Sequence, residues 1–234
     1  AIYCAIDTPD IEIALDISKS VSAAGCGIKL GLEFFVSNGP QGVRRIQESC
    51  PLIPIFLDLK FHDIPNTVAG ALRSAVRLGV DYTNVHASGG RDMMSLAQQT
   101  IIDEAHRLGI KPPKLLAVTV LTSFDSQGLS EIGIQDEVEK HVVKLAHLTK
   151  ECGLAGIVCS AHEIRTLRAA MGNDFVLMVP GIRPAGASHG DQKRVMTPSE
   201  AMQAGASHLV IGRPITGAVS PQQAAKSILE SIAA

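Results

Sequence analysis

The segment Ile53-Pro54-Ile55-Phe56-Leu57-Asp58-Leu59-Lys60-Phe61-His62-Asp63 decides how the rest of the chain is read. Ile53 to Leu57 is a short apolar run, as in a strand buried on both faces, and ionisable residues crowd its C-terminal end. In an extended strand residues two apart share a face, so Asp58 and Lys60 point one way and Leu57 and Leu59 the other. An acid and an amine are thus expected side by side at a strand mouth. A structural ion pair would account for those two residues alone. Asp63 adds a second carboxylate around one lysine, a surplus of negative charge that serves stability poorly but keeps an ammonium protonated.

Outward from that segment, apolar runs alternate with amphipathic stretches along the whole chain. Strands are expected near 2–7, 27–31, 53–60, 82–86, 114–120, 155–160, 175–180 and 208–212. Helices are expected near 11–24, 39–49, 64–78, 91–108, 136–151, 161–171, 197–204 and 221–232. About eight strand-helix units is the count that closes an α/β protein into a (β/α)8 TIM barrel. Gly25, Gly79, Gly109, Gly153, Gly172 and Gly205 each follow a helical run and precede a strand, as residues just past a helix C-terminus do. Asn38, Asn66-Thr67 and Thr197-Pro198-Ser199-Glu200 read as caps at helix starts. No linker interrupts the pattern, so residues 1–234 read as a single domain, with long irregular stretches at roughly 121–135 and 181–195.

Composition limits the partners. The 234 residues carry a formal charge of −2, only 3% aromatic residues and no tryptophan. With no polybasic stretch and few rings to stack on bases, nucleic acid is not an expected partner, whereas a mononucleotide needs only a local site. No apolar run approaches the ~20 residues of a membrane-spanning helix. Ile2-Tyr3-Cys4-Ala5-Ile6-Asp7 is too short for a signal peptide and lacks its basic flank. Cys4, Cys26, Cys50, Cys152 and Cys159 have apolar or glycine neighbours and no C-x-x-C spacing, which fits small core residues in a reducing cytoplasm.

A barrel of this kind gathers its chemistry at the C-terminal ends of its strands. There the chain delivers Asp7, Lys29, Asp58 and Lys60 with Asp63, Asn84 and His86, Thr119 leading to Thr122, Ser160, Gly181-Ile182-Arg183 and Gly212-Arg213. The last two read as a phosphate cradle, each with a glycine for close backbone approach and an arginine able to pair with phosphate oxygens. The small-residue run Pro184 to Gln192 between them is expected to act as a lid. His62-Asp63, His86 and His189 lack zinc spacing, and Lys29 and Lys60 would repel a cation, so no metal is expected.

These residues together closely resemble the orotidine 5′-phosphate decarboxylase family over essentially the whole chain. The resemblance rests on Ala5-Ile6-Asp7, Lys29-Leu30-Gly31, Phe56 to Thr67, Asn84-Val85-His86-Ala87, Val120-Leu121-Thr122-Ser123, Pro180 to Pro184, Gly190-Asp191-Gln192 and Val210 to Pro214. It implies cofactor-free conversion of orotidine 5′-monophosphate to UMP and CO2 by a charge network of Lys29, Asp58, Lys60 and Asp63. In that resemblance Lys60 protonates C6 of the pyrimidine and Asp58 lies beside the departing carboxylate. Asp7 and Lys29 would hold the ribose hydroxyls, Thr122 the base region, and Arg183, Gln192, Gly212 and Arg213 the phosphate and lid. It also implies a homodimer in which Asp63, Ile64 and Thr67 enter the partner subunit's site.

Two other functions use the same kind of scaffold. A magnesium-dependent phosphosugar decarboxylase or synthase is similar in the D-x-K-x-x-D strand, but such relatives carry an acidic ligand on the second strand, where this chain has Lys29. A non-catalytic phosphate-ligand sensor would have little need of the charge network.

Overall fold

Alternate residues of the barrel strands face its axis, and that alternation builds two separate apolar layers. A computed structural model of the chain describes residues 1–184 and 196–233. Eight parallel strands close in chain order: β1 (Ile2–Ile6), β2 (Gly27–Leu30), β3 (Ile55–Phe61), β4 (Tyr82–His86), β5 (Lys114–Val118), β6 (Gly156–Val158), β7 (Val176–Val179) and β8 (His208–Ile211). The helices are α1 (Ile11–Ser22), α2 (Leu32–Ser49), α3 (Pro65–Val76), α4 (Gly90–Leu108), α5 (Ser126–Glu131), α6 (Val138–Glu151), α7 (Ile164–Met171), α8 (Pro198–Ala204), α9 (Arg213–Thr216) and α10 (Pro221–Ala233). The expected (β/α)8 TIM barrel is the observed architecture.

Outward-facing strand residues such as Ile6, Ile28, Leu57, Val85 and Leu209 join Phe34, Leu72, Ile101 and Leu167 of the helices in one large buried cluster. Inward-facing Tyr3, Phe56, Tyr82, Leu116, Met178 and Val210 form a second cluster that fills the barrel. That interior is crowded enough to require glycine at two strand starts. A β-carbon on Gly27 would lie 2.8 Å from the Tyr3 ring, and one on Gly156 would lie 2.1 Å from the Val176 carbonyl oxygen.

The local punctuation follows the sequence with three differences. The six glycines expected beyond helix ends all have positive φ, and Thr197 with Glu200 forms a reciprocal cap. Asn66 and Thr67, however, lie inside the first turn of α3, whose N-cap is Ile64 and whose first residue is Pro65. About two turns of helix from Leu32 precede the expected start of α2 and bend into it at Gly39, with φ 59°. Asn38 closes that first segment by donating to Phe34 O at 3.1 Å and Pro9 O at 3.0 Å, instead of capping the second. Within the expected irregular stretch, Asp125 accepts from the Gly128 amide and starts α5.

Candidate active site

The site is built where β3 leaves its regular ladder. Leu57 pairs with Thr83 and Phe61 with Val85, so Asp58, Leu59 and Lys60 stand opposite Asn84 alone. Lys60 takes φ 50°, the sole positive φ among the described non-glycine residues. A residue with a β-carbon meets steric resistance there, and such strain persists only where its surroundings hold it. The unbroken alternation expected from sequence is therefore corrected: Asp58 and Lys60 meet across a bulge.

Their meeting is close. The Lys60 ammonium donates to Asp58 Oδ1 at 2.7 Å, and Asn84 Nδ2 donates to the same oxygen at 2.7 Å. Lys29 Nζ lies 3.5 Å from Asp58 Oδ2 and 3.3 Å from Asp7 Oδ1, so Asp7, Lys29, Asp58 and Lys60 form a continuous ionic chain across β1, β2 and β3. Asp58 is 7% exposed. Burial is the largest influence on its carboxyl and pushes the pKa up, but Lys29, Lys60 and the two hydrogen bonds outweigh it and leave the group below its ordinary value. Asp58 is thus an anion at neutral pH.

Lys29, Asp58, Lys60 and Thr122 border a cavity of about 170 Å³ whose remaining wall is mainly apolar, with Val118, Val120, Val158, Pro180 and Val210. Such a pocket, largely apolar with a few convergent polar groups, is the ordinary form of a small-molecule site. At the ends of β7 and β8, buried Arg183 feels Arg213: burial first, and then the neighbouring guanidinium, depress its pKa. The two guanidinium groups therefore lie near enough at adjoining strand mouths to repel each other. Gly212 is the residue from which α9 starts. Arg183 N–H donates to Met196 O at 3.0 Å, joining residues on either side of the segment expected to form the lid. Gln192, His189 and the rest of that segment from Ala185 lie outside the described residues.

Not every expected residue joins the group. Asp63 is exposed and accepts from its own Ile64 amide at 2.6 Å. Ile64 is 67% exposed, and Thr67 is exposed on the first turn of α3. His62 and His86 sit with ring centres 5.4 Å apart; burial, then His62 and Lys60, lower the pKa of His86. Among the described residues no three His, Cys, Asp or Glu side chains converge to hold a metal ion. Asn84 is the member that sequence reading placed at the mouth without a task. Its signal was an amide at an inward position of a buried strand, between Tyr82 and His86.

The model of the orotidine 5′-phosphate decarboxylase / HUMPS family matches residues 1–228. The chain belongs to this family. A family protein from Rhodospirillum rubrum, named orotidine 5′-phosphate decarboxylase, is 52% identical over 231 residues, covering 99% of this chain and 93% of that protein. One of the same name from Moorella thermoacetica is 50% identical over 232 residues, covering 99% and 91%. Among solved structures of the family, the orotidine 5′-phosphate decarboxylase of Lactobacillus acidophilus is 34% identical, with a TM-score of 0.87 over 100% of this chain and 99% of that one. No helix among the described residues is long and apolar enough to cross a membrane.

Proposed function

We infer that the chain converts orotidine 5′-monophosphate to UMP and CO2, the reaction for which its relatives are named, and we propose that Lys60 is the proton donor. It is then a carboxy-lyase of pyrimidine nucleotide synthesis, working as one domain over residues 1–234. The observation that carries the reading is the Lys60 ammonium, 2.7 Å from a buried carboxylate, at the edge of a cavity that is otherwise mainly apolar.

When the bond from C6 to the carboxylate breaks, its electron pair stays on C6 as CO2 departs. An ammonium beside C6 stabilises that charge and then gives it a proton, leaving a neutral amine that solvent reprotonates. Repulsion between Asp58 and the substrate carboxylate at ~4 Å is worth about 4 kcal/mol at an effective dielectric near 20. Enzymes commonly lower barriers by ~8–23 kcal/mol. The larger share therefore falls to preorganised stabilisation of the transition state, with phosphate binding contributing orientation. In this reading Asp7 and Lys29 hold the ribose hydroxyls, Thr122 meets the base, and Arg183, Gln192, Gly212 and Arg213 hold the phosphate.

A homodimer completes the site, with Asp63, Ile64 and Thr67 entering the neighbouring subunit's cavity. The exposure of all three supports that arrangement. The five cysteines, free and buried, support a reducing cytoplasm. Against a magnesium-dependent phosphosugar reaction stands Lys29, whose ammonium lies 3.5 Å from Asp58 where a bound cation would be repelled.

The direct test follows the ultraviolet absorbance of orotidylate with purified protein stripped by a chelator. The expected result is loss of the orotidylate band with one UMP formed per substrate consumed. Turnover that appears only on adding Mg²⁺ would overturn the reading.

A further inference from the structure

We propose that Asn84 is a positioning residue for Lys60, tying both the backbone and the ammonium of that lysine to Asp58. The inference rests on Lys60 being the proton donor of the preceding section. Asn84 is fully buried. Its Oδ1 accepts the Lys60 backbone N–H at 2.8 Å, and its Nδ2 donates to Asp58 Oδ1 at 2.7 Å. That carboxylate oxygen also takes the Lys60 ammonium at 2.7 Å. The contacts close a ring that runs from the Lys60 amide through Asn84 and Asp58 to the tip of the same side chain.

The ladder explains why such a device is needed. Between the Leu57–Thr83 and Phe61–Val85 pairs, β4 offers one residue against three of β3. The Lys60 N–H finds its acceptor in the Asn84 side chain, which stands in for the interrupted strand pairing. At φ 50° the lysine backbone resists its own conformation, so a partner must hold it. Without that partner Lys60 can relax toward extended backbone, which turns its Cα–Cβ bond and carries the ammonium off Asp58. Only a carboxamide supplies an acceptor for one neighbour and a donor for the other from one rigid plane. Aspartate keeps the acceptor but sets a second negative charge against Asp58, and alanine loses both.

Asn84→Ala and Asn84→Asp carry the test, with Lys60→Ala as reference. For Asn84→Ala the expected result is a KM and a UMP affinity near the parent's, with kcat lowered by ~10²-fold, the cost of a reacting group displaced by about an ångström. For Asn84→Asp the expected result is an acidic limb of the kcat–pH profile moved to higher pH, because the added carboxylate raises the proton affinity of the pair. A purely structural asparagine would lower the melting temperature and leave the turnover of folded molecules unchanged. Parent-like kcat in folded Asn84→Ala, or an unmoved limb in Asn84→Asp, overturns the positioning role. Should Asn84→Ala not fold, the nearly isosteric Asn84→Asp decides by its kcat on the plateau above that limb, expected to be lowered with KM near the parent's; a parent-like plateau overturns the positioning role. Full turnover by Lys60→Ala overturns the proton-donor reading instead; with Lys60→Ala inactive, a negative result at position 84 counts against Asn84 alone.

Discussion

The two ends of the barrel interior use neighbouring residues of the same strands for opposite purposes. At the N-terminal end Tyr3, Phe56, Tyr82 and His208 pack edge to face, with ring centres 5.4 to 6.5 Å apart. The Tyr82 hydroxyl meets His208 Nε2 at 3.0 Å. Burial pushes the Tyr3 phenol above its usual pKa and His208 down to about 4, so this layer is uncharged at neutral pH. Two residues further along three strands, the inward positions become Lys29, Asp58 and Asn84, and the backbone at Lys60 is strained. The neutral layer joins the strands by ring packing and the Tyr82–His208 hydrogen bond, whereas the charged layer is held by ion pairs and by Asn84. Aromatic packing and paired charge are thus separated along the barrel axis by a single in-facing step.

If that separation is real, substitutions at the two ends must differ in kind. Apart from Lys60 itself, the largest effect on turnover is expected at Asp58→Asn, which leaves the Lys29 and Lys60 ammonium groups facing each other without their shared counter-ion. Turnover should fall by at least ~10²-fold, and urea unfolding should show a loss of about 3 kcal/mol, as for other half-broken buried ion pairs. Tyr82→Ala should cost about 3–4 kcal/mol by the same unfolding measurement, through a cavity in the aromatic layer. Its kcat, read well below the melting temperature, should stay near the parent's; a large drop would show that the two ends are not separable.

The smallest effect distinguishes the ends by pH. His208, held at about 4, is neutral in the folded protein while the unfolded chain takes up protons near pH 6.5. Stability is therefore unaffected above that value and declines as pH falls from about 6.5 toward 4. Asp58 acts in a more acidic window: its depressed pKa adds stability that is present above the ordinary 3.8 and lost as pH falls through its folded value. Melting curves across pH should show the first decline reduced in His208→Gln, leaving the part that His86 carries, with the second unchanged.

The barrel was legible because its signals are periodic. The alternation of apolar runs with amphipathic stretches marked the eight strand-helix units, and the crowding of charge at strand ends named Asp7, Lys29, Asp58, Lys60, Arg183 and Arg213. What the sequence did not show is what has no period. A bulge depends on how β3 registers against β4, so the positive φ of Lys60 left no mark in its own neighbourhood. Asn84 gains meaning only opposite that bulge, where one amide replaces a backbone acceptor. The added N-terminal part of α2 and the short α5 were hidden for a similar reason. Gly39-Pro40 reads as a start yet serves as a bend, and α5 is too brief for helical periodicity to stand out.

The claim on which the account turns is that the Lys60 ammonium both stabilises charge at C6 and supplies the proton. The most direct measurement compares Lys60→Ala with the parent for UMP affinity and for single-turnover decarboxylation on the same preparation. The account predicts a folded protein that still binds UMP and whose decarboxylation is slower by ~10⁴-fold or more, the upper range for a positioned general acid. Decarboxylation at the parent rate by the folded variant would contradict it.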